Sequence, residues 1–302
     1  MRGTFRGKGV MLDGLNRTAE DRTMARRLTE LSDFEPFAQT DGCDAVVRFS
    51  NMSAKLDQPD IMGMATKIVS GSGEMTDLLA MSAEVFIAAH PRDFIAFLDA
   101  HRNRLLTLPR LFRLVATGQV WLGPLLKAMR AQRVNHGNGL STTYHGIQTF
   151  RLVRGTGSGL ASSPMRYRWL PHSHNPAGYY RDFAPLAAAQ PSQLGTMAFD
   201  LELLVRPPNA LLNQRDRKRL DDPRFAWSEP YEVLQAGTLT LTEVITDQTR
   251  GLAFDPTVLA PGIALGDSPL FGARQSAYTI SHVRRSTELG AGPVSVATTA
   301  DR

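Results

Sequence analysis

A single cysteine, Cys43, excludes an internal disulfide in this chain of 302 residues. A thiolate can bind iron in some heme enzymes, but a small, buried, inert residue is the plainer reading of Cys43. No run of eighteen apolar residues occurs, so no helical membrane span is expected. The basic opening, MRGTFRGKGVMLDG, lacks the apolar stretch of a signal peptide, and a cytoplasmic protein is expected. No repeat or low-complexity tract is present. No G-x-G-x-x-G, P-loop, CxxC or HExxH pattern stands in a convincing context.

The net charge is only +5, and the cations are spread along the chain. The densest run, Arg215 to Arg219, is interrupted by Asp216 and followed by Asp221 and Asp222. It reads as a solvated loop or helix face, and no nucleic-acid partner is expected. A modest positive excess also suits an anionic cofactor.

What is present fits a globular protein with a sizeable core: 42% of residues are hydrophobic and 21% charged. β-branched and apolar runs predict strands over 43–50, 61–70 and 84–89, with a Gly71-Ser72-Gly73 turn. Pro91 opens a helix whose apolar face includes Phe94, Ile95, Phe97 and Leu98. A second helical stretch is expected over 109–133, weakened by Gly118 and Gly123. Strands return over 143–153, 165–171, 197–206 and 238–247, and a closing helix over 268–286. Strands, then helices, then strands, then a helix make an α+β pattern with an antiparallel sheet or barrel.

The closing helix is the most informative segment. Arg274 and Tyr278 lie four residues apart, so they share a helix face. His282 extends that row and Arg285 follows three residues on. Such a face is unusual on a buried helix, because each polar group needs a partner once desolvated. A tyrosine hydroxyl anchored among salt-bridged neighbours is one reading; iron ligation by Tyr278 is another.

Arg-x-x-x-Tyr on the last helix, with Arg285 beyond it, resembles the proximal-ligand motif of heme catalases. The lead-in Pro261-Gly262-Ile263 and Asp267-Ser268-Pro269-Leu270 is similar to that region of the small, catalase-related heme proteins. The resemblance implies a catalase-like antiparallel β-barrel with surrounding helices and heme b (iron protoporphyrin IX), bound through Tyr278 as phenolate. A phenol ordinarily titrates near 10; an adjacent guanidinium and a ferric ion favour its anion.

Further segments resemble the family in order and spacing. Val47-Arg48-Phe49-Ser50 looks like its VRFS strand, which makes Arg48, with Arg285, a heme-propionate partner and brings Ser50 and His282 into the cofactor-binding set. Asp60 to Lys67 is similar to a D-x-R-G-x-A-x-K stretch, with Met62 in place of the arginine. His90-Pro91 and Phe94 match a region where phenylalanine packs on the distal face of the heme. The similarity touches most of residues 1–286, expected to form one heme-binding domain; 287–302 reads as a flexible tail. A homodimer is possible by analogy.

The pattern breaks where catalases place their distal histidine and asparagine. Arg6 stands at the histidine's place in Phe5-Arg6-Gly7-Lys8-Gly9, and no histidine precedes His90. Arginine donates hydrogen bonds and charge but does not accept a proton. The asparagine position falls on Met81 or Ser82. Arg6, Met81 and Ser82 are therefore the candidate catalytic positions. Catalase activity is expected to be weak, and an organic hydroperoxide or other small, partly apolar substrate is expected. Two alternatives stay open: a non-catalytic heme sensor or store, and a lipocalin-like barrel without iron.

Overall fold

The computed structural model describes residues 3–11, 19–39, 42–51, 61–102, 107–134, 139–155, 161–172, 197–207, 212–228, 230–245 and 252–288. In chain order these form β1 (Gly3–Met11), α1 (Ala19–Leu31), a 3-10 turn (Glu35–Phe37), β2 (Cys43–Asn51), β3 (Met62–Val69), β4 (Met75–Met81), α2 (Pro91–Arg102), α3 (Thr107–Ala116) and α4 (Leu122–Val134). There follow β5 (Tyr144–Arg154), β6 (Ala161–Pro171), β7 (Ala198–Val205), α5 (Gln214–Arg219), β8 (Glu232–Val244), β9 (Ile263–Leu265) and α6 (Leu270–Glu288). This is the expected α+β architecture.

The strands form one antiparallel sheet in the order β4-β3-β2-β1-β8-β7-β6-β5-β9, and β4 also meets β5. The sheet therefore nearly closes into a barrel, with a seam made by the single pair Met81 and His145. Closure matters because an open antiparallel sheet leaves unpaired edge groups. Alternation sorts the side chains of β2: Val47 and Phe49 are fully buried, and the ring of Phe49 lies 5.8 Å from both Tyr144 and Phe199. Arg48 and Ser50 take the opposite face.

That outer face is covered as well. Asp77 donates its backbone N–H to the Val258 carbonyl, and Asp255 donates its own to Asp77 Oδ2 at 2.7 Å. Ala260 N–H donates to Thr76 Oγ1 at 3.0 Å. The segment before α6 is thus strapped along β4, and Thr76 to Ala80 are buried without interruption. Gly262 turns the chain at φ +91°; a Cβ there would lie 2.0 Å from Phe34 N, so only glycine fits.

Three sequence expectations are corrected. Residues 84–89 form no strand: Ser82 N–H donates to the Met62 carbonyl and Phe86 N–H to Pro223, so this stretch is tied irregularly to a loop. The third strand is β4 instead. The stretch 109–133 is two helices, parted where Gly118 adopts φ +73°. α6 runs to Glu288, two residues into the expected tail; residues 289–302 lie outside the described ones. β1, α1 and β9 were not anticipated. Cys43 matches its plainer reading: it donates to Gln39 Oε1 at 2.8 Å, and burial pushes its thiol up to about 11.

Among the described residues, no helix is long and apolar enough to cross a membrane.

Candidate functional site

A cavity of about 520 Å³ lies on the outer side of the barrel, between the β2–β5 strands and helices α2 and α6. Its size falls in the range of sites for cofactors and small molecules. One wall is α6, whose i, i+4 spacing brings Arg274 and Tyr278 to the cavity together with Ala273 and Ala277. The opposite wall is apolar: Met62 and Met81 from the strands, then Phe86 and, from α2, Phe94. Phe86 and Phe94 pack ring to ring at 4.8 Å. Ser50 reaches the cavity from β2 beside Gly63, whose missing side chain keeps the wall open: a Cβ there would sit 2.8 Å from Ser50 Oγ.

The Arg-x-x-x-Tyr spacing works as expected. Arg274 Nη2 donates to the Tyr278 hydroxyl at 3.4 Å, and the guanidinium carbon lies 5.6 Å from the tyrosine ring centre. The other arm of Arg274 donates to Gln148 Oε1. Gln148 is buried on β5 at an irregularity between Gly146 and Phe150, where the register against β6 shifts. Bulges redirect side chains, and this one aims Gln148 outward at α6. Nothing in the spacing of TYHGIQTF marks Gln148 as a site residue; only the register shift reveals it. Its Nε2 is buried with no partner among the described residues.

Tyr278 packs against Ala65, Leu79 and Phe254. Two other tyrosines, Tyr144 and Tyr167, are fully enclosed in the core, where burial pushes their phenols above the ordinary value. Tyr278 is the tyrosine that faces the cavity.

The remaining expected site residues divide. Ser50, Met81 and Phe94 line the cavity. Ser82 does not; its Oγ accepts the Met62 backbone N–H at 3.0 Å, locking β3 to β4. Of the two candidates for the asparagine position, Met81 is thus the one at the wall. Arg48 also stands off the wall, with its guanidinium 4.7 Å from the centre of the Phe254 ring. Lys67 approaches the same ring at 5.6 Å and pairs with Asp77 at 2.6 Å. Burial holds the Asp77 carboxyl above its usual range against the pull of Lys67.

Arg6 lies on β1, its backbone paired with Val46 on one side and Glu243 on the other, where the register shifts. His282 and Arg285 lie on α6. The side chains of these three are outside the described residues. So is Asp60. Among the described residues, none that lines the cavity is a histidine, aspartate or glutamate.

Comparison with known proteins places this arrangement. No family model matches the chain. A catalase-related peroxidase of Mycolicibacterium paratuberculosis is 29% identical over 251 residues, covering 78% of this chain and 76% of the relative. A bacterial catalase superposes with a TM-score of 0.70 at 16% identity, covering all of this chain and 60% of that one. Catalase A from Saccharomyces cerevisiae gives 0.70 at 16% identity, with 97% and 62% covered. The chain therefore spans about three fifths of the length of the catalases it matches. The fold is that of the catalases. In sequence, a catalase-related peroxidase is among the proteins the chain is similar to.

Proposed function

We propose that this protein is a heme-dependent oxidoreductase that acts on an organic hydroperoxide and is a poor catalase. The carrying observation is the contrast inside one cavity: Tyr278, hydrogen-bonded by Arg274, on one wall, and an apolar wall bearing Met81 on the other. The residues suit heme b. A half-buried phenol backed by a guanidinium is the donor set of a tyrosinate iron site, and the opposing wall offers flat apolar contact. Residues 1–286 form the heme-binding unit in this reading.

Bound heme would supply redox chemistry toward the peroxide O–O bond. The chain's own residues would do the rest. Tyr278 would hold the iron, and Arg274 would hydrogen-bond its phenol oxygen while Gln148 fixes the guanidinium. Phe94 would pack on the porphyrin, with Ser50 at its edge. Arg285 would serve the anionic propionates, with Arg48 behind the wall against Phe254. Arg6 would donate hydrogen bonds to an oxyanion or a carboxylate in the substrate. Met62, Met81 and Phe86 would exclude water and accept an apolar substituent.

Among the described residues, the wall offers no histidine or carboxylate to carry a proton between the two oxygens of hydrogen peroxide. Loss of a positioned acid–base group costs about 10²- to 10⁴-fold in rate. The purified protein loaded with heme should therefore consume an alkyl hydroperoxide faster than it evolves oxygen from hydrogen peroxide. Tyr278→Phe should lose the phenolate-to-iron absorption band and the activity. Retention of that band in Tyr278→Phe, or rapid oxygen evolution by the unaltered protein, would refute the proposal.

A further inference from the structure

We infer that the outer faces of α3 and α4 seat this protein on an anionic bilayer beside the mouth of its cavity. Helices α2, α3 and α4 pack around a small core of their own, including Leu114, Val120 and Leu125. Their opposite faces are apolar rather than polar. On α3, Leu108 and Phe112 are 78% and 77% exposed and lie four residues apart. On α4, Leu122, Leu126 and Met129 repeat the pattern at i, i+4 and i+7, all exposed. Solvated helices bury one face and place charged residues of both signs on the other; these two leave apolar side chains outside.

The charge decides the partner. No aspartate or glutamate occurs between Asp99 and Asp182. Arg110, Arg113, Lys127 and Arg130 are all exposed on the same two helices. Among the described residues none of the four forms an ion pair, and of their side chains Arg110 donates to the backbone carbonyl of Asp99, at 3.4 Å. Exposed apolar residues mixed with cations, on two helices that carry no acid of their own, match an anionic lipid surface, where apolar groups sink below the headgroups and guanidinium groups meet phosphate. A second copy of the chain would bring the same cations against themselves.

The position relative to the cavity gives the surface a use. Ile95 and Leu98 of α2 line the cavity and are also exposed, so its mouth opens along α2, which packs against α3. A hydroperoxide carried on an acyl chain could pass from lipid to cavity along an apolar path. This last step rests on the proposed hydroperoxide chemistry; the docking itself does not.

Vesicle flotation of the full chain separates the two. Binding to vesicles of mixed phosphatidylglycerol and phosphatidylcholine is expected, weakened by high salt and much reduced on phosphatidylcholine alone. Arg110→Gln with Arg113→Gln should weaken partition by about fivefold for each cation removed. Leu108→Ser with Phe112→Ser should abolish it while circular dichroism and heme absorption stay unchanged. Absence of flotation, equal binding to neutral vesicles, or a soluble dimer that dissociates on Leu108→Ser with Phe112→Ser would each overturn the inference. None of these readouts depends on peroxidase activity, so failure of the heme reading would appear separately in the spectrum.

Discussion

The two walls of the cavity are built by different forces. The α6 wall is held by directional bonds: Gln148 grips Arg274, and Arg274 reaches Tyr278. Such a chain fixes an orientation and tolerates little change. The β3–β4 and α2 wall is held by packing of Met62, Met81, Phe86 and Phe94. Methionine adapts to irregular neighbours and makes few geometric demands. In the proposed function, chemistry that needs a fixed atom would sit on the helix, and selection among substrates on the adaptable side.

Three experiments would break or sharpen that contrast. Arg274→Leu strikes the rigid wall. It removes the cation beside Tyr278 and leaves the Gln148 side chain without its partner, so heme affinity or peroxidase rate should fall about 10- to 100-fold, the usual cost of losing a group that orients a metal ligand. Heme titration and steady-state assays measure this, and parity with the unaltered protein would end the claim that the wall is rigid for a reason. Met81→His strikes the adaptable wall by supplying a base. Oxygen evolution from hydrogen peroxide should rise by roughly tenfold, part of what a positioned acid–base group contributes; no rise on the oxygen electrode would show that this wall does not face the reacting oxygens.

The smallest effect lies at the seam between β4 and β5. Burial lowers the His145 pKa from 6.5; Glu84 opposes the shift and Arg168 adds to it. A lowered folded value means that the neutral ring is favoured in the folded state. The stabilisation is present above pH 6.5 and is lost as pH falls through the lowered value. Urea denaturation at neutral and acid pH should show this decline in the unaltered protein and a flatter profile in His145→Gln. Identical profiles would remove His145 from the account.

Sequence alone carried the helical half of the site further than the sheet half. Arg274 and Tyr278 were legible as neighbours because a helix turns a spacing of four into a shared face, and as a candidate site only through the resemblance to the catalase proximal motif. Met81 and Ser82 could not be separated, because a strand sends adjacent residues to opposite faces and the register was ambiguous by one. Ser82 took the structural position, hydrogen-bonded to Met62, and Met81 took the wall. β4 escapes a reading by alternation, since both its faces are covered and Thr76 to Ala80 are all buried; Asp77-Leu78-Leu79 is legible there only through its similarity to a catalase-family strand. β1, with Gly3, Gly7 and Gly9, has weak strand propensity of its own and is held by pairing on both sides, to β2 and β8. Gln148 depends on a local shift of register that no composition announces.

The cavity lies against the outside of the barrel, not within it. β2 serves two masters: Val47 and Phe49 look inward to the scaffold, while Ser50 on the same strand looks outward to the site. Selection can therefore rewrite one set of alternate positions while leaving the other intact. A lineage with this layout can exchange one reaction for another without renegotiating how it folds.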